Sequence, residues 1–103
     1  MRAAAQQPVT VWSWRVDGRF RFKEWDDDDT VVYDVASGDT HVVDPLSMEI
    51  LQLLGQGPPR STDSLVADLR QVFDGEPDAA IAARIERSLH GLQDIGLVTG
   101  RPL

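Results

Sequence analysis

"VVYDVASGDTHVVDPLSMEILQLL", residues 31–54, changes its apolar period at Asp44, and that change decides the fold. Before Asp44, "TVVYDV" (30–35) and "THVV" (40–43) are short runs rich in β-branched residues, as strands are. The "ASGD" between them contains the glycine that a tight reversal uses, so the two runs read as a hairpin. After Asp44 the period becomes helical. Leu46, Ile50, Leu51, Leu53 and Leu54 fall on one side at 3.6 residues per turn. The Asp44 carboxylate can accept from a free amide of the first turn, and Pro45 sits where its missing N–H costs nothing. "GQGPP" (55–59) ends this first helix.

Working outward, the upstream segment is also strand-like. "VTVWSW" (9–14) is rich in β-formers, and "RFRFKEW" (19–25) alternates, with Phe20 and Phe22 on one face and Arg19, Arg21 and Lys23 on the other. The two are linked around Asp17-Gly18. Downstream, Ser61 and Thr62 are cap candidates for a second helix that buries Leu65, Val66, Leu69, Val72 and Phe73, with Asp63 favourable near its amino end. "DGEP" (74–77) breaks it. A third helix spans about Pro77 to Ile95 on the stripe Ile81, Ile85, Leu89, Leu92 and Ile95, with Gly96 as its stop. "LVTG" (97–100) closes as a short extended end. Strands followed by helices give an α+β class, a small antiparallel sheet in the N-terminal half followed by three helices in a winged-helix-like arrangement.

At 103 residues the chain has the length of one domain. Residues 1–8, "MRAAAQQP", lack the apolar run of a signal peptide and read as a tail before a single domain over 9–100. No stretch approaches the roughly 18 apolar residues that cross a bilayer, so the expected address is cytoplasmic, with no membrane partner. The absence of cysteine closes disulfide, zinc-thiolate, iron-sulfur and thiol chemistry together. The net charge of −7 is uneven: residues 9–23 hold four cations and one acid, residues 24–49 nine acids and no Lys or Arg. Such a field repels nucleic acid, whose affinity rests on phosphate neutralisation.

The seven aspartates and one histidine of residues 26–45 invite a metal or catalytic reading. The spacing opposes it: counted from Asp26 as an EF-hand loop, the glycine position is Val31 and the glutamate position is Ser37. A solvated acidic turn is the simpler reading. His41, with Ser37, Asp39 and Asp44 near it in sequence, has the residue types of a triad but not the converging geometry one needs. His90 follows Glu86 by four residues on the third helix, as in a surface ion pair. "GLQDIG" (91–96) has the outer glycines of a phosphate loop without the lysine and hydroxyl that must follow. Neither catalysis, a cofactor nor a metal is therefore expected. Gly91 inside a helix costs about 1 kcal/mol relative to alanine, which points to close approach, by a neighbouring helix first and by a ligand second. Trp12 and Trp14 share a strand face and read first as packing, second as a partner surface.

What remains is backbone. A strand edge beside a helix can accept an extended peptide as an added strand, main-chain groups supplying affinity and alternate side chains entering the groove. "WDDDDTVVYDVASGDTHVVDPLSMEILQLL", continued by "STDSLVADL" and "LHGLQDIGLV", resembles the PqqD family of peptide chaperones, in particular the branch associated with an HPr-kinase-related gene system. The similarity covers roughly Trp12 to Val98. It implies a winged-helix-type fold that binds the leader of a ribosomally made precursor peptide and presents it to a modifying enzyme or an HPr-kinase-related protein. It further implies strand addition on Thr40, His41, Val42 and Val43, beside a third-helix surface that includes Arg84, Arg87, Ser88 and Gly91. The N-terminal strand and acidic loop are longer than in the shortest members, which brings an extra strand within reach of that edge. Two other readings stand beside it. One is a winged-helix DNA-binding regulator. The other is a protein–protein or dimerisation module, including a homodimer, that uses the exposed strand and the tryptophan face.

Overall fold

Residues 9–14, 20–25, 28–55 and 57–102 are described by the computed structural model. The expected tail over 1–8, the link at Asp17-Gly18 and two of the four adjacent aspartates, Asp26 and Asp27, lie outside them. The class is mixed α+β, in the order β1 (Thr10–Trp14), β2 (Phe20–Glu24), β3 (Thr30–Asp34), β4 (Thr40–Val43), α1 (Pro45–Leu54), β5 (Arg60–Ser61), α2 (Thr62–Leu69), a 3-10 turn (Arg70–Val72), α3 (Asp78–Asp94) and β6 (Val98–Pro102).

The strands form two antiparallel three-stranded sheets, ordered β5-β1-β6 and β2-β3-β4, where the sequence suggested one. Two tryptophans explain how β1 is held. Trp12 is 4% exposed and sits opposite Gly100 of β6, so close that a Cβ on that glycine would stand 2.8 Å from the ring. Its ring and that of His90 are perpendicular, 5.5 Å between centroids. Trp14 lies over Gly55 after α1 and meets Phe22 edge to face at 5.9 Å, which joins β1 to β2 without a shared ladder. Packing is therefore the reading that applies to both rings.

Local signals place the helices as expected. Asp44 caps α1, its Oδ1 accepting from Ser47 N–H at 2.8 Å, with Pro45 in the first turn. Ser61 is the residue that caps α2, accepting from Ser64 N–H at 3.2 Å. Gly96, at φ +89°, ends α3: its N–H bonds Gln93 O and the Leu97 N–H reaches back to Leu92 O at 2.9 Å. The core gathers Ile50, Leu51 and Leu54 of α1, Leu65, Val66 and Leu69 of α2, and Ile81, Ile85, Leu89 and Leu92 of α3 against Trp12, Phe20, Val32 and Val43. No described helix is long and apolar enough to cross a membrane.

One expectation about the core fails. Val72 is 66% exposed, because the chain tightens from α-helix to a 3-10 turn after Leu69 and rotates that position outward, while Phe73 stays buried. Phe22 shares a face with Phe20 but stays partly exposed, with Trp14 against its ring.

Candidate functional site

β4 ends its sheet, so one of its flanks carries no described strand. β2 pairs β3 on the far side and β1 belongs to the other sheet, so neither N-terminal strand covers that edge. The hairpin that presents it is tied at its turn: the buried Asp34 accepts from Ala36 N–H at 2.9 Å and Ser37 N–H at 3.3 Å, and Gly38 takes φ +81°.

The ladder decides which main-chain groups of β4 are free. Asp34 N–H donates to Asp39 O at 2.9 Å, which makes them a hydrogen-bonded pair. Antiparallel ladders alternate, so Val32 with His41 and Thr30 with Val43 are also bonded pairs, whereas Tyr33 with Thr40 and Val31 with Val42 are not. The Trp25 N–H to Asp29 O bond at 3.0 Å, on the other side of β3, fits the same alternation. The N–H and C=O of Thr40 and Val42 therefore face the open edge. His41 and Val43 turn their side chains to the inner face, and Thr40 and Val42 turn theirs outward beside Tyr33 and Val31.

Between this edge and α3 lies a groove of about 680 Å³. It brings together all eight residues singled out from sequence: Thr40, His41, Val42 and Val43 on the strand side, and Arg84, Arg87, Ser88 and Gly91 on the helix side. Leu46, Leu92 and Ile95 add apolar surface and Asp44 a carboxylate. Those four read in sequence only as core or cap; the structure leaves Leu46 and Ile95 half-buried, each at an end of its apolar stripe.

The cations of α3 differ. Arg84 bonds Glu76 at 2.9 Å and stacks over Phe73, whereas Arg87 makes no hydrogen bond or ion pair among the described residues. Outside α3, Arg70 and Arg60 are likewise occupied, by Asp78 and by Asp68. On α3 itself Arg87 alone is left without a partner among the described residues, which is little positive charge for a DNA groove. The helix-contact reading of Gly91 is corrected: a Cβ there would meet nothing within 4 Å. The Glu86–His90 pair is corrected too, since Glu86 accepts from Thr62 Oγ1 and His90 meets Trp12. Among the described residues no group of three His, Asp or Glu side chains converges to hold a metal ion.

An open strand edge, a flanking helix and a mixed apolar and cationic floor suit the capture of an extended polypeptide. The family model described as Coenzyme PQQ synthesis protein D (PqqD) matches residues 29–98, a span that contains β4 and α3 entire. No curated protein and no solved structure matches the chain.

Proposed function

The chain belongs to the PqqD family, whose members are non-catalytic peptide-binding recognition elements, and from that premise we propose that its groove binds the leader of a ribosomally made precursor by strand addition to β4. Thr40 and Val42 supply main-chain donors and acceptors, His41 and Val43 border the pocket, and Arg84, Arg87, Ser88 and Gly91 form the helical wall. The acting unit is residues 9–100 in a winged-helix-like arrangement, working in the cytoplasm. It serves the HPr-kinase-related branch and hands the bound precursor to a modifying enzyme or to an HPr-kinase-related protein.

The observation that carries this reading is the flank of β4 that pairs with no described strand and faces α3 across the groove. Strand addition needs no reactive side chain, because the guest's affinity comes from main-chain bonds and covered apolar surface.

Calorimetric titration of the 103-residue chain with the leader of each short peptide encoded beside its gene tests it. Saturable binding by one of them is the expected result. Absence of binding at high micromolar concentration for every one would contradict it.

A further inference from the structure

Which guest side chain enters the groove follows from β4 itself. Adjacent strands place level side chains on the same face whatever their relative direction. A guest residue level with His41 therefore points toward α3, and those level with Thr40 and Val42 point to the outer face beside Tyr33 and Val31.

The groove wall that meets this side chain is graded. Gly91 is exposed and stands in helical backbone without a positive φ, so no strained conformation demands glycine there. No neighbour demands it either, because an added Cβ would meet open space. A mid-helix glycine with neither cause leaves the groove itself as the reason for bare backbone. Half-buried Leu46 and Ile95 line the same space as Gly91, and Arg87, without a hydrogen bond or ion pair among the described residues, lies one helical turn back.

The geometry points to a guest with a large apolar side chain level with His41, seated on bare backbone at Gly91 against Leu46 and Ile95, and an acidic residue two positions away facing Arg87. For a guest that runs along α3 the spacing suits both contacts: Gly91 to Arg87 is about 6 Å of helical rise, and two residues of an extended guest span about 6.6 Å. Covering the two half-buried apolar residues favours an apolar partner, and a guanidinium fork favours a carboxylate. This inference rests on strand addition at β4 and adds the pattern that the guest must carry.

The test selects binders from a displayed library of random short peptides on the intact chain, then measures the selected peptides against Gly91→Leu, Gly91→Ala and Arg87→Gln. Enrichment of Phe, Tyr, Trp, Leu or Ile two positions from Asp or Glu is expected. Gly91→Leu should weaken these peptides about tenfold or more, since its side chain occupies the space the guest would fill. Gly91→Ala should weaken them less while raising the melting temperature by about 4–8 °C, which separates lost binding from lost folding. Arg87→Gln should remove the preference for the acid. Selected peptides that protect the Thr40 and Val42 amides from exchange, yet bind Gly91→Leu as well as the parent, would overturn this inference alone. Failure to find any peptide that protects those amides would overturn strand addition, and this inference with it.

Discussion

The guanidinium of Arg84 stacks on the ring of Phe73, its Cζ 4.7 Å from the ring centroid, while its Nη1 bonds Glu76 at 2.9 Å. Arg84 thus ties the end of the 3-10 turn to α3, although its sequence position reads as outward and free. Arg87, one turn along the same wall, has no such engagement among the described residues.

These two arginines should separate structure from recognition. Arg84→Ala should lower stability by about 1 kcal/mol or less, as half-exposed pairs and stacks do, and should weaken an acidic guest less than Arg87→Ala does, because its guanidinium is already engaged by Glu76 and Phe73. Arg87→Ala should leave the urea midpoint unchanged and weaken an acidic guest, most of all at low salt. Denaturation curves and titrations at two ionic strengths check both halves. Equal effects of the two substitutions on affinity would contradict the division.

Proline distinguishes the two sides of β4. The Val42 N–H faces the open edge, so Val42→Pro should remove a docking donor while keeping the β3 ladder. The His41 N–H bonds Val32, so His41→Pro breaks that ladder and should destabilise the hairpin more. Thermal melts and peptide titration of the pair check this: Val42→Pro should fold and fail to bind. A Val42→Pro protein that binds as well as the parent would show that the guest does not use that donor.

Glycines at the tryptophans should respond opposite to Gly91. A methyl on Gly100 would press on Trp12, which is 4% exposed and cannot move away, so Gly100→Ala should cost about 1–3 kcal/mol. Gly55→Ala meets Trp14 at 2.6 Å, but that ring is only half buried and can shift, so its cost should be smaller. Tryptophan fluorescence during urea unfolding measures both, and a Gly100→Ala protein as stable as the parent would refute the packing described.

Much of the fold was legible because its signals are local. Asp44-Pro45 announces α1, Gly96 announces the end of α3, and the 3.6-residue stripe of α3 separates its core face from the wall that carries Arg84, Arg87, Ser88 and Gly91. What was not legible depends on partners far along the chain. Arg60–Ser61 is a strand only because β1 pairs with it, and nothing in two residues after Pro58-Pro59 signals that. The strands divide into two ladders, and β1 meets β2 through Trp14 and Phe22, a contact that no local signal announces. Val72 kept the apolar identity of a core position while the change to 3-10 winding turned it to solvent. Arg84 looked free because Glu76 lies eight residues earlier, across the "DGEP" break.

Amide hydrogen exchange, read residue by residue with and without a bound leader, tests the central claim most directly. In the free protein Thr40 and Val42 should exchange fast and His41 and Val43 slowly, since only the latter pair is bonded to β3. On binding, Thr40 and Val42 should become protected while His41 and Val43 change little. A leader that binds and leaves the Thr40 and Val42 amides exchanging at their free rates would contradict strand addition at β4.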